Sequence, residues 1–424
     1  MTRALALIDG EHYASTVRDA LVELPYEFIG AVMVGGTEKL REGADYGVVV
    51  HDDLDEALRE LEPEVVVDLS DEPVLGPTKR FRAASRVLAV GAAYVGADFR
   101  LEPPSFEPFP IPSVAVYADG KRVGKTAVAG HVARTLAADR DVLVVAMGRG
   151  GPDEPELVDA PPAVDDLLEL SRRGRHAASD YLELAAVAGV PAIGCRRCGG
   201  GLAGAVSSSN VAAGLELARE RSPELVVFDG SGAAIPPVAG GKRVLVTSTY
   251  NEPREVTGYL NAYRILIADL AVITMAADDT EHERLAAAIR DVKPELPVIS
   301  ASLRPRPLAP VEGRRVAYFT TAKADVHERL AQGLRDDHGA EVAIVCGSLS
   351  DRAALRRELD AVDADVYLTE LKAAGIDVVA EAGRERGVEV VLAANDVVPL
   401  PGQPDIDAEL RALADAATAE PVGT

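Results

Sequence analysis

The sequence predicts an α/β fold, a central parallel sheet flanked by two smaller α/β domains, and three observations predict it. Short Val/Ala/Leu-rich runs alternate with segments of helical period along the whole chain. That alternation is the pattern of parallel strands joined by right-handed crossovers. Two proline-rich stretches, 101–112 and 304–310, divide the 424 residues into three parts, a size that allows several buried cores. Within 114–126 an apolar strand runs directly into a glycine-containing loop, and an amphipathic helical segment follows it.

The first part, 1–110, has apolar runs at 4–9, 28–34, 47–50, 64–68 and 87–90, with helical-period segments at 14–23, 53–61 and 77–86 between them. This predicts a Rossmann-like α/β domain. Five prolines in Leu101–Pro112 bar a helix or a central strand, so the segment reads as a linker. The second part, 111–303, continues through runs at 142–147, 190–194, 224–228, 243–248, 269–274 and 297–300. Arg304–Pro310 reads as a second hinge. The third part, 304–424, is predicted to carry strands near 315–320, 341–346, 365–369 and 388–393 and a closing polar helix over 405–418.

The segment after the 114–118 strand is Asp119-Gly-Lys-Arg-Val-Gly-Lys-Thr126. A strand, this loop and a helix in that order make a P-loop, so the central sheet is predicted to be of the P-loop NTPase type. Glycines let successive N–H groups point at phosphate oxygens, Lys125 reaches the outer phosphates and the Thr126 hydroxyl can hold Mg²⁺. The helix opening at Lys125 adds its positive end to the anion site. Gly120, Lys121, Arg122, Val123, Gly124, Lys125 and Thr126 form the nucleotide-binding set. Asp119 stands where the pattern has its first glycine. No N-K-x-D guanine signature follows a strand, so ATP is the expected nucleotide.

Ligands of open parallel sheets sit at the carboxyl ends of the strands. The 224–228 strand delivers Asp229-Gly-Ser-Gly232 there. Asp229 is the expected metal partner of Thr126, and Gly232 is placed to meet a γ-phosphate through its N–H. The 142–147 strand delivers Gly148-Arg149-Gly150-Gly151, glycines that free the backbone to approach a ligand around one bidentate guanidinium. Arg173, Arg175 and His176 follow in the next loop, with Ser179 or Asp180 as a helix cap, and Arg196 and Arg197 in the one after. Clustering arginine costs repulsion, so a strongly acidic chain that does so is expected to hold an anionic ligand there. His176 reads as a general acid or base, a phosphate donor or a surface residue. Glu11 and His12 after the first strand, and Lys372 after the strand near 365–369, are further substrate-binding candidates. Lys125, Asp229, Arg149 and His176 are the candidate catalytic set.

A net charge of −24 excludes a non-specific nucleic-acid binder. Acidity combined with scarce lysine predicts adaptation to a salty cytoplasm, the alternative being an acidic protein of a GC-rich genome. Three cysteines are too few for a disulfide framework, and Cys195-Arg-Arg-Cys198 lacks the second ligand pair of a zinc site. The start of the chain runs into a strand pattern with no signal peptide, and no apolar stretch approaches about 20 residues. The expectation is a cytoplasmic protein with no membrane partner, and the glycine-poor helices of the third part suit a homodimer.

Six segments together resemble the archaeal cyclic 2,3-diphosphoglycerate synthetase family. They are Asp9–Tyr13, Gly120–Thr126, Gly148–Pro152, Gly174–Tyr181, Asp229–Pro236 and Thr369–Asp377, and they span all three parts. The resemblance implies ATP-dependent closure of 2,3-diphosphoglycerate into an internal phosphoanhydride, with release of ADP and phosphate; the acidic, lysine-poor composition points to a haloarchaeal member. Two other classes stay open on the residues alone. One is a P-loop kinase of a phosphorylated small acid such as 2-phosphoglycerate. The other is a regulatory NTPase switch that binds a partner protein.

Overall fold

The computed structural model describes residues 1–72, 74–277 and 280–419. The amino-terminal strands are β1 (Arg3–Ile8), β2 (Glu27–Met33), β3 (Val50–His51), β4 (Val65–Asp68), β5 (Ala93–Val95) and β6 (Arg100–Leu101). They form one sheet in the order β3-β2-β1-β4-β5-β6, parallel except for the last pair. This is the order of a Rossmann-like half, with its switch point beside β1. The run at 87–90, expected as a strand, belongs to the helix Pro77–Ala89 and its end. Ala83, Ala84, Val87 and Leu88 recur at helical spacing and are its buried face. The strand itself comes only after the turn at Gly91, where φ is +83°.

After β7 (Glu107–Pro108), the remaining strands are β8 (Ser113–Ala118), β9 (Val142–Gly148), β10 (Glu156–Val158), β11 (Ala192–Cys198), β12 (Ser208–Ser209), β13 (Leu225–Asp229), β14 (Val238–Ala239), β15 (Lys242–Ser248), β16 (Leu270–Thr274), β17 (Val298–Pro307), β18 (Arg315–Phe319), β19 (Glu341–Cys346), β20 (Val366–Glu370) and β21 (Glu389–Pro399). Among the described residues, all but β7 and β14 belong to one 13-stranded sheet, in the order β10-β11-β9-β13-β8-β15-β16-β17-β21-β20-β18-β19 with β12 beside β11. Strands β8, β9 and β13 are buried along their whole length on both faces, as parallel strands covered by helices must be.

The expected hinge at 304–310 is a strand as far as Pro307. The first part of β17 pairs in parallel with β16, and its last seven residues pair antiparallel with β21. Pro305 and Pro307 are tolerated because they lie beyond the stretch paired with β16, where one edge of the strand is free. The central and carboxy-terminal sheets are therefore continuous. They also share a core, in which Leu371, Ile376, Leu392 and Leu410 pack with Val128, Val132 and Leu184. The amino-terminal domain docks separately, through helix Pro77–Ala89 against helix Asn261–Leu266, with Phe81 edge-on to Tyr259. No helix among the described residues is long and apolar enough to cross a membrane.

Candidate nucleotide and phosphate site

Strand β8 ends at Ala118, and helix Lys125–Leu136 begins after Gly124, whose φ of +76° reverses the chain. A Cβ there would meet Leu303 and the Thr274 side chain, so only glycine suits the position. Thr274, at the end of β16, donates its hydroxyl to the Val123 carbonyl at 2.7 Å and holds the loop from beneath. Arg122 also sits at positive φ, +60°, an unusual conformation for an arginine that leaves its side chain exposed at the tip of the loop. Asp119 turns away from the phosphate cradle. Its Oδ2 accepts from the Thr247 hydroxyl at 2.6 Å and from the Asn251 amide at 3.1 Å. Its other oxygen is buried without a partner, and burial raises the carboxyl above its usual range. Substituting Asp for the first glycine thus ties the loop to the end of β15.

The neighbouring strand β13 ends in Asp229, which is fully buried and takes an ion pair from the Lys125 ammonium. Burial pushes the Asp229 carboxyl up to about 6 against the opposing pull of Lys125, and its Oδ2 has no partner. A buried acceptor left open on the residue that Lys125 meets, with the Thr126 hydroxyl next in the chain, is a donor set that Mg²⁺ takes up, so these two residues fit the ion.

Beyond Asp229, the turn at Ser231-Gly232 is where three loops meet. A Cβ on Gly232 would lie 3.6 Å from Lys121 Cγ and 3.8 Å from Arg149 Nη2. Arg197 donates to the Ser231 carbonyl at 2.7 Å and to the Gly199 carbonyl at 2.6 Å. Burial lowers its guanidinium, and the Arg149 charge adds to the effect; its Nε is buried without a partner. Neither arginine has a carboxylate bound to it among the described residues. Two guanidiniums and a lysine thus share one turn, a repulsive arrangement that a phosphate relieves.

The other arginines stand differently. Arg173, just past the end of helix Val164–Arg172, pairs with Glu169 on that helix and is 67% exposed. Arg175 pairs with Glu156, which also accepts from the Tyr181 hydroxyl at 2.7 Å, and Arg196 pairs with Asp153. His176 lies against the Arg149 loop, its ring 3.4 Å from where a Gly150 Cβ would be. Gly151 is pressed onto strand β11, since a Cβ there would lie 2.1 Å from the Cys195 carbonyl oxygen. Cys195 is buried, and burial pushes its thiol up to about 12, so it is a packing residue.

Lys372 comes from the carboxy-terminal part of the sheet, just past β20. It lines a small cavity of about 10 Å³ together with Thr126, Glu183, Glu370 and Arg306. Its ammonium lies 3.4 Å from Glu183 Oε1. Burial pushes the Glu183 carboxyl up to about 7 against Lys372, whereas Glu183 raises Lys372, a third exposed, above its usual range. Glu11 and His12 sit at the carboxyl edge of the amino-terminal sheet. His12 Nδ1 is 2.7 Å from buried Asp9, and Glu11 accepts from the Thr37 amide at 3.1 Å.

Sequence reasoning gave Asp180 only as a cap, and it missed Glu183. Both begin the helix Asp180–Ala188. Asp180 lies against Gly148, 3.2 Å from where a Cβ would be, and its charge acts on Asp229, Glu183, Arg197 and Lys372. Two acids three apart at a helix start looked like ordinary dipole complements, which hid them.

Family models for cyclic 2,3-diphosphoglycerate synthetase match three successive stretches. The amino-terminal domain matches 3–102, the P-loop domain 113–302 and the carboxy-terminal domain 307–396. The chain belongs to the cyclic 2,3-diphosphoglycerate synthetase family. It is 48% identical to the cyclic 2,3-diphosphoglycerate synthetase of Rubrobacter xylanophilus over 98% of each chain. It is 38% identical to that of Pyrococcus abyssi, over 97% of this chain and 98% of the relative. The synthetase of Methanothermus fervidus is also 38% identical, over 93% of this chain and 92% of the relative. A solved structure of the "apo" form of LpxK from Aquifex aeolicus in complex with ATP is similar at 14% identity, covering 74% of this chain and 90% of that one, with a TM-score of 0.42.

Proposed function

We propose that this protein is an ATP-dependent ligase that closes 2,3-diphosphoglycerate into cyclic 2,3-diphosphoglycerate, an intramolecular phosphoanhydride, and releases ADP and phosphate. The observation that carries the reading is the meeting of Arg149, Arg197 and Lys121 at the Ser231-Gly232 turn, next to the phosphate loop and without carboxylate partners. Ring closure joins two phosphates that repel each other, and cations held in place beforehand offset that repulsion.

In this reading the P-loop backbone from Gly120 to Gly124 and the Lys125 ammonium hold the ATP phosphates. The Gly232 amide faces the γ-phosphate. Thr126 and Asp229 would hold Mg²⁺, which supplies charge neutralisation of the phosphates when bound. One substrate phosphate attacks the γ-phosphorus and displaces ADP. The second substrate phosphate then attacks the phosphoryl group so activated, on its substrate-side phosphorus, and inorganic phosphate leaves. No strong base is needed, because the attacking phosphates are already anionic. His176, beside the Arg149 loop, donates to a phosphate oxygen.

Arg173, Arg175 and Arg196 are the exposed, carboxylate-paired members of the substrate-binding set. Their exposed ion pairs are each worth about 1 kcal/mol or less, so a phosphate can replace the carboxylates. Lys372 reaches the same region from the carboxy-terminal part of the sheet, and Glu11 and His12 line the edge of the amino-terminal domain. Free Cys195, Cys198 and Cys346 support a reducing, cytoplasmic location, and the acidic surface supports a salt-rich, halophilic one. A homodimer belongs to the proposal. Among the described residues strand β19 ends the large sheet with one edge unpaired, and Ile344 on it is 43% exposed; pairing with a second copy would cover that edge.

The test is ADP release from Mg-ATP with and without 2,3-diphosphoglycerate. Release that depends on the diphosphoglycerate supports the reading, whereas slow release indifferent to it points to a regulatory switch.

A further inference from the structure

We infer that Arg264 is a positioning residue for the anion site, acting from the far side of the two glycine loops that Arg197 holds from within. The inference rests on the proposed reading of that site. Arg264 lies in helix Asn261–Leu266 and is 2% exposed. Its Nε and Nη2 both donate to the Ala233 carbonyl, at 3.0 and 2.7 Å. Its Nη1 donates to the carbonyls of Leu202 at 2.9 Å and Leu260 at 3.3 Å, and to the Asn261 side-chain oxygen at 2.9 Å.

The two loops it fastens are those of Arg197. Ala233 belongs to the turn that carries Ser231 and Gly232, and Leu202 to the loop that starts at Gly199. Arg197 donates to Ser231 and Gly199, and Arg264 to Ala233 and Leu202. Just beyond these clamps the loops are joined again by the Ile235 amide, which donates to the Gly204 carbonyl at 2.9 Å. Arg264 is fixed in turn, because its own carbonyl accepts from the Tyr117 hydroxyl at 2.7 Å, on the strand that leads to the P-loop.

A guanidinium buried without a bonded carboxylate costs desolvation, and burial lowers it below its usual range despite the nearby Asp119 charge. The planar fork of donors explains its presence. It meets the carbonyls of Ala233, Leu202 and Leu260 and the Asn261 side-chain oxygen together, four acceptors for which an ammonium's three donors do not suffice. The same helix receives the amino-terminal domain through helix Pro77–Ala89. Arg264 therefore sets where Gly232 and Arg197 lie relative to the P-loop, and it ties that position to the docked domain.

The experiment compares Arg264→Lys and Arg264→Met with the unaltered full-length protein. Three quantities are followed: ATP-analogue affinity, KM for 2,3-diphosphoglycerate, and amide hydrogen exchange of residues 199–204 and 230–235. In Arg264→Lys the KM rises about tenfold or more while ATP-analogue affinity falls by less, since of the shifted groups only the Gly232 amide meets the nucleotide, and Arg264→Met is worse. Exchange quickens in those two loops and not in strands β8 and β13. An unchanged KM in a protein that turns over diphosphoglycerate overturns the inference and leaves the function standing. If the unaltered protein ignores diphosphoglycerate, the exchange pattern decides: slow, unaltered loop exchange in both variants also overturns it. Should Arg264→Met fail to fold, Arg264→Lys and Asn261→Ala, which removes one acceptor, carry the comparison.

Discussion

The Lys125 ammonium is paired with the buried Asp229 carboxylate, so the helix that follows the P-loop is tied to the strand beside it before any nucleotide arrives. Phosphate and Mg²⁺ would compete for the two halves of that pair. Lys125→Met is expected to lower ATP turnover about a thousandfold, the scale of a removed transition-state cation, while the protein stays folded. Folding survives because Asp229, already pushed up to about 6, takes a proton once its partner is gone. Steady-state ATP hydrolysis and thermal unfolding, measured side by side, check this.

The arginines are expected to separate by what holds them. Arg149→Met and Arg197→Met should each raise KM for 2,3-diphosphoglycerate about tenfold or more, since among the described residues neither guanidinium has a carboxylate bound to it. Arg175→Met and Arg196→Met should have smaller effects. Arg173→Met, which removes an exposed pair at the end of one helix, should change KM by about twofold at most. Kinetics of the five variants at constant ionic strength establish the ranking.

Much of this arrangement is legible in the sequence, because parallel strands buried on both faces leave unbroken apolar runs whose following residues are the site. Lys125, Thr126, Asp229, Gly232 and Arg149 are all found that way. Two elements were hidden by local chemistry. The run at 87–90 is the end of a helix, with only Val87 and Leu88 on its buried stripe, and Pro305 and Pro307 look like a hinge although each occupies a strand position with one free edge. Long-range partners leave no local trace. Arg264 reads as one arginine in a short helix, and its role comes from carbonyls 31 and 62 residues away. Glu183 and Lys372, nearly two hundred positions apart in the chain, meet only because β17 turns the two sheets into one.

Glu183 makes stability depend on pH. Burial raises its folded pKa to about 7, above the ordinary carboxylate value it has unfolded. Between those values the folded state holds the proton that the unfolded state has lost, so this residue's contribution falls as pH rises from about 4.5 to about 7 and is constant beyond. Relative to Glu183→Gln, the unaltered protein should lose up to about 3 kcal/mol across that window. Denaturant unfolding of both proteins at pH 5 and pH 8 measures the difference, and parallel pH profiles would contradict it.

The exposed edge of β19 predicts the assembly. Ile344→Glu places a charge on the unpaired strand and is expected to convert a dimer to a monomer, with ATP affinity unchanged. Light scattering on size-exclusion peaks of the two proteins reads this directly, and a variant that remains dimeric would move the interface elsewhere.

The central claim is that two substrate phosphates are brought together beside ATP and joined. Phosphorus-31 NMR of the protein with Mg-ATP and 2,3-diphosphoglycerate measures this most directly. The account predicts ADP, inorganic phosphate and a new upfield pair of anhydride resonances growing in equal amounts. ADP formed alongside a stable phosphorylated acid, with no anhydride and no free phosphate, would contradict it.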